Sequence, residues 1–214
     1  MICGCSNKLS VIGISSAIMG IAKIILASAS PRRLELMRQI VIDPIVHVAE
    51  IDETPFSNEQ PYPFVRRMAE EKATCIAACH APEDVVIGAD TVVVAGDRIF
   101  GKPVDFEDAA AMLSCLSGKR HHVLTAVCVS KADVLSTRIV ESTVRFRELS
   151  EMEIEAYWQT GEPLDKAGAY AVQGLAAIFI EEIQGSYSAI MGLPLYEVAE
   201  LLAEAGVKVL DLDV

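Results

Sequence analysis

The sequence predicts an α/β protein in which helices flank a mixed sheet. Three observations predict it. Short apolar runs of strand length alternate with amphipathic helical stretches along most of the chain. Two extended runs, His122–Lys131 and Leu135–Phe146, are separated only by a short polar turn and read as an antiparallel pair, so the sheet is not purely parallel. The hydrophobic fraction of 52% is ample for a core and argues against disorder.

The elements follow in order. Ile24–Ala27 is an apolar run of strand length. Ser30 then offers an N-cap hydroxyl, and Pro31 suits the first helical position, where a missing N–H costs nothing. Leu34, Met37 and Val41 continue at helical spacing. Residues 45–61 read as a polar loop after a strand, with Ile51-Asp52-Glu53 before Thr54-Pro55. Residues 63–79 form an amphipathic helix with Phe64, Met68 and Ile76 on one side and Arg66, Arg67, Glu70 and Glu71 elsewhere. Val85–Gly88 is a buried-type strand, Thr91–Ala95 continues it, and Ala95-Gly96-Asp97 marks a hairpin turn. Asp105 caps a helix running through Leu116 to Gly118. Ser150 and Glu153 form a capping box for a helix that stops at Gly161. Ala176–Ile183 reads as a strand, Leu195–Ala205 as a helix closed by Gly206, and Val207–Leu210 as a last strand.

The 214 residues suit one domain or two intimate lobes, and no linker or repeat divides them. Residues 1–22 are mildly apolar but broken by glycine and serine. They read as a poorly ordered extension, with Met19 an alternative start, leaving 23–214 as a single α/β domain. A formal charge of −12 argues against a grip on nucleic-acid polymers or an anionic membrane. An acidic chain that binds a phosphate ester must gather its cations locally, and Arg32, Arg33, Lys72 and Lys102 are the candidates. The six cysteines form no paired CxxC blocks. They read as thiols in a reducing compartment, which places the protein in the cytoplasm; a metal site at Cys75, Cys79 and His80 is the alternative.

Arg32 and Arg33 sit in the first turn of a helix, where cations oppose the helix dipole. Either an anion binds there, or both arginines are simply solvated on a capped helix. Gly88-Ala89-Asp90-Thr91 puts a carboxylate where an apolar strand ends, a placement for activating water or holding a metal, or merely an aspartate in a turn. Gly101-Lys102-Pro103 can hold an ammonium at a phosphate. Gly161–Gly174 is too polar for a core strand and too irregular for a helix, and Gln173 within it can read a nucleobase edge or lie in solvent. His121 and His122 are potential ligands or strand-edge histidines. No Walker, GxSxG or HExxH motif is present.

Seven segments in order resemble the Maf family of nucleoside triphosphate pyrophosphatases: Ser28–Arg33, Gly88–Thr91, Gly101–Pro103, Ser117-Gly118 with His122, Glu141–Phe146, Gly161–Gly174, and Gly185–Tyr187 before Gly192–Pro194. The match spans Ile24 to Leu202; Ala29 departs from the residue often found between the two serines. The resemblance implies an elongated, two-lobed fold like that of the inosine triphosphate pyrophosphatases, with a central nucleotide cleft, assembled as a homodimer. It implies hydrolysis of a nucleoside triphosphate to the monophosphate and pyrophosphate with Mg²⁺ or Mn²⁺. The Asp165–Tyr170 block with Gln173-Gly174 is similar to the subgroup acting on dTTP and UTP. It further implies that Asp90, as general base, Lys102 and Glu53 are catalytic. Ser28, Ser30, Arg32, Arg33, Lys72, Thr91 and Gln173 would surround the substrate, and Glu53 and Asp90 would hold the metal. Modified pyrimidine triphosphates or 7-methyl-GTP are rival substrates, and a nucleotide-binding regulator of septum formation or cell division is the rival class.

Overall fold

The computed structural model describes residues 22–96 and 98–210. The expected N-terminal extension lies almost wholly outside them. The chain runs β1 (Ile24–Leu26), α1 (Pro31–Gln39), β2 (Ile45–Val46), α2 (Pro61–Ala77), β3 (Val85–Ala95), β4 (Arg98–Phe100), α3 (Phe106–Leu116), β5 (Arg120–Lys131), β6 (Val134–Phe146), α4 (Glu151–Gln159), β7 (Ile180–Gln184), α5 (Tyr187–Met191) and α6 (Leu195–Glu204). Three short 3₁₀ turns lie between α4 and β7. The strands form one mixed sheet in the order β2-β1-β3-β5-β6-β7, with β4 also paired to β3. β1 is parallel to β2 and β3, and the remaining pairs are antiparallel. The mixed α/β sheet expected from the sequence is therefore present, including the β5–β6 pair.

One feature of this topology places the site. β5 occupies one edge of β3 from Val86 to Val94. On the other edge β1 pairs only with Val85–Ile87 and β4 only with Val93–Ala95. Between those partners the edge of β3 is open at Gly88–Val92, and there a crevice forms, as at the switch points of other α/β sheets. Alternation along β3 sends Val92 and Val94 into the cluster beneath α2 and Ala89 into the cluster beneath α1 and α6. Asp90 and Thr91, adjacent in sequence, thus serve opposite faces of the sheet.

The helix caps fold as their residues dictate. Ser30 accepts from the Arg33 N–H, Asp105 from the Asp108 N–H, and Ser150 and Glu153 close a reciprocal capping box. Three expectations need correction. Val41 does not extend α1: the helix stops at Gln39, and Val41 takes a φ of +62° in a left-handed cap in which the Val41 and Ile42 N–H groups bond the Arg38 and Met37 carbonyls. The apolar run from Ala176 is a 3₁₀ turn as far as Phe179 before β7 begins. The Glu162 carboxylate captures the Leu175 and Ala176 N–H groups and fixes that turn. Val207–Leu210 is not a strand: Val207 donates back to the Leu202 carbonyl, and Val207 and Val209 pack on the core beneath α6.

Candidate active site

Ser28, Ser30, Arg32, Arg33, Glu53, Lys72, Asp90, Thr91, Lys102 and Gln173 all line one cleft of about 610 Å³ at the open edge of β3. They come from elements far apart in sequence. β1 delivers Ser28 and the start of α1, the β2–α2 loop delivers Glu53, and the turn after β4 delivers Lys102.

Lys72 sits at the bottom. On α2 the buried positions are Phe64, Val65, Met68, Ala69, Lys72, Ala73 and Ile76, so an ammonium occupies the apolar stripe of the helix. Gly88 explains how it reaches the sheet. A Cβ there would lie 2.3 Å from the Ala69 carbonyl oxygen and 2.7 Å from the Ala73 nitrogen, so only glycine lets α2 rest directly on β3. Lys72 Nζ then donates to Asp90 Oδ1 at 2.7 Å and lies 2.8 Å from Glu53 Oε1. Burial pushes the Glu53 pKa up, but the Lys72 bond and charge, with Lys102 and Arg33, hold it below the ordinary value.

Arg33 is held on three sides. Its Nε donates to the Gly192 carbonyl at 2.8 Å, Nη1 to Ser28 Oγ at 3.1 Å, and Nη2 to Thr91 Oγ1 at 3.3 Å. Burial lowers its pKa; the Asp90 and Glu53 charges oppose that shift and Arg32 adds to it. Arg32 instead bridges the cleft. Its Nη1 lies 3.2 Å from Asp165 Oδ2, and Asp165 also pairs with Lys166. The Gly161–Gly174 block that carries these residues is pinned by the Gly168 N–H to the Gly101 carbonyl, and by Tyr157 and Leu175 to the Glu162 carboxylate. Gln173 is exposed at its far end and makes no hydrogen bond among the described residues.

Sequence reasoning missed Asp165 and Lys166 as members of the site. It also missed Thr125, which lies beneath Thr91 at 3.0 Å between the two hydroxyls. A hydroxyl in the apolar run of β5 was the available signal for Thr125. His121 lies near the start of β5, one residue beyond the β3–β5 register, and pairs with Val144 of β6; it is buried, bonded through Nε2 to the Tyr170 hydroxyl at 2.9 Å. No group of three or more His, Cys, Asp or Glu side chains suited to a metal occurs among the described residues, so Cys75, Cys79 and His80 form no such cluster.

Among the described residues the cleft gathers five cations, Arg32, Arg33, Lys72, Lys102 and Lys166, against three carboxylates, Glu53, Asp90 and Asp165. The chain as a whole carries −12. An excess of positive charge inside a concave site, against the trend of the whole molecule, is suited to a polyanion.

Fold and cleft together define an α/β protein with a cation-rich cleft at an open strand edge. The family model described as Maf-like protein matches residues 23–205, and the chain belongs to the Maf family. It is 50% identical over 192 residues to the dTTP/UTP pyrophosphatase of Hahella chejuensis, covering 89% of this chain and 96% of that protein. The dTTP/UTP pyrophosphatase of Shewanella sp. (strain MR-7) is 49% identical over 86% of this chain and 99% of its own length. That of Cereibacter sphaeroides is 51% identical over 86% and 95%. No helix among the described residues is long and apolar enough to cross a membrane.

Proposed function

We propose that this chain is a nucleoside triphosphate pyrophosphatase that converts dTTP and UTP to the monophosphate and pyrophosphate. The observation that carries this reading is the near-half identity to dTTP/UTP pyrophosphatases over almost their whole lengths. The cation excess of the cleft supports it independently. In this reading Arg32, Arg33 and Lys102 neutralise triphosphate charge, with Ser28 and Ser30 beside them at the start of α1. Lys72 fixes the direction of the Asp90 carboxylate. Asp90 takes a proton from water as the water oxygen bonds the α-phosphorus, the bridging α–β P–O bond breaks, and pyrophosphate leaves. Gln173, with an uncommitted amide, reads the pyrimidine edge.

Asp90 and Glu53 are hard oxygen donors, and a cation held by one or two carboxylates, with substrate phosphates completing its shell, is the usual arrangement for Mg²⁺. The donor set therefore fits Mg²⁺ or Mn²⁺, held by those two carboxylates in competition with Lys72. When bound, such an ion supplies charge stabilisation at the phosphate oxygens. Assembly as a homodimer in the cytoplasm belongs to the same proposal and is read by light scattering and cell fractionation. The relatives do not favour the regulator reading.

The test is pyrophosphate release, with Mg²⁺ or Mn²⁺, from dTTP, UTP, CTP, GTP, ATP and 7-methyl-GTP. Fastest release from dTTP and UTP is expected, with that preference lost in Gln173→Glu. No release from any of them, with nucleotide binding intact, would overturn the proposal.

A further inference from the structure

Thr125 lies fully buried in β5, directly opposite Thr91 of β3. A hydroxyl at that depth must be satisfied within the protein. It donates to the Ala189 carbonyl at 2.7 Å. Its single proton is thereby used, so across the 3.0 Å contact the Thr91 hydroxyl is the donor and Thr125 the acceptor. Thr91 Oγ1 accepts in turn from Arg33 Nη2. The direction of each hydrogen bond from Arg33 through Thr91 and Thr125 to Ala189 is therefore set.

The second end of this chain returns to the same arginine. Ala189 belongs to α5, and Gly192 at the end of that helix supplies the carbonyl that accepts from Arg33 Nε. Thr125 thus orients one acceptor of Arg33 and anchors the helix that carries another. We infer that Thr125 is the positioning residue of Arg33, acting without touching substrate. It follows that the Thr91 proton is committed inward to Thr125, so Thr91 acts through Arg33 and does not donate to a nucleobase.

The kinetic part of the test rests on the proposed pyrophosphatase reading; the spectroscopic part does not. Thr125→Val removes the hydroxyl at nearly constant shape, and Thr125→Ser keeps it. The first readout is the Arg33 Nε–H resonance of the full-length protein, assigned by its loss in Arg33→Lys. Thr125→Val should shift it and speed its hydrogen exchange by about tenfold, while Thr125→Ser leaves it near the wild-type position. The second is turnover of dTTP. KM should rise about tenfold in Thr125→Val with a smaller change in kcat, and return in Thr125→Ser. Thr125→Ala serves the same purpose if Thr125→Val does not fold.

An unchanged Arg33 resonance in the hydroxyl-deleted variant would overturn the inference, and so would a KM rise that Thr125→Ser fails to reverse. If wild type releases no pyrophosphate from any triphosphate, the functional reading fails, and the Arg33 resonance still decides the role of Thr125.

Discussion

The Lys72 ammonium lies 2.7 Å from Asp90 Oδ1, with only 8% and 11% of the two side chains exposed. Glu53 is the third member, at 2.8 Å. Removing the cation leaves both carboxylates without their direct partner, with only the charges of Arg33 and Lys102 nearby. Lys72→Met should therefore cost about 3 kcal/mol in urea unfolding, although methionine suits the apolar stripe of α2. A loss below about 0.5 kcal/mol would mean that the ammonium does not hold the pair together.

Asp90→Asn preserves shape and keeps an oxygen for Lys72 while removing the base. Under the proposed mechanism kcat for dTTP should fall at least about 100-fold in a variant that still folds and still binds nucleotide. Steady-state kinetics beside a melting curve checks this. Near-normal kcat would remove Asp90 from proton transfer.

The Arg32–Asp165 pair crosses the mouth of the cleft with side chains 21% and 58% exposed. Such a pair is worth about 0.2–1 kcal/mol. A triphosphate that takes Arg32 must first displace that carboxylate. Asp165→Asn should accordingly lower KM for dTTP by about two- to fivefold with stability unchanged. A higher KM would show instead that Asp165 holds Arg32 in place for the substrate.

What the sequence made legible was local chemistry. Ser30, Asp105 and Ser150 cap helices because a side-chain oxygen next to unpaired N–H groups needs no tertiary information. The apolar periods likewise reveal the long strands and α2. Asp165 and Lys166 were not legible as site residues, because Asp165 ends one 3₁₀ turn and Lys166 links it to the next, and such short turns carry no hydrophobic period. Moreover, Arg32, the cross-cleft partner of Asp165, lies at the start of α1, far away in the chain. The segment Ala176–Phe179 misleads for a related reason: its apolar side chains say strand, but the decisive contact is a carboxylate from Glu162 on its backbone. Lys72 carried a readable signal, a charge in register with Phe64, Met68 and Ile76, yet its partners Asp90 and Glu53 come only with the fold.

Gly88 tests how closely packing and site are coupled. A Cβ at that position meets α2 backbone, which cannot swing aside as a flexible side chain does. Gly88→Ala should cost about 1–3 kcal/mol and lift α2 from β3, drawing Lys72 away from Asp90. Turnover of dTTP should fall in the variant even at temperatures where it remains folded. Wild-type kinetics in a destabilised but folded Gly88→Ala would separate the packing from the site.

His121 gives the fold an acid limit. It is buried edge-on against the Phe146 and Tyr170 rings, with Nε2 bonded to the Tyr170 hydroxyl. Burial, with the charge of His122 as the lesser cause, lowers its pKa from 6.5 to about 4. The unfolded chain therefore takes up a proton at higher pH than the folded one. Stability is full above the unfolded value, declines as pH falls towards about 4, and levels off below it, a loss of about 3 kcal/mol from this residue. His121→Gln retains a donor for Tyr170 but does not titrate. Urea midpoints followed across that pH range should fall more steeply for wild type than for His121→Gln, the difference reaching most of that amount at the acid end. Parallel curves would mean that the acid loss comes from the carboxylates alone. Tyr170 lines the cleft three residues before Gln173, so protonating His121 should also loosen the wall that carries the proposed base reader.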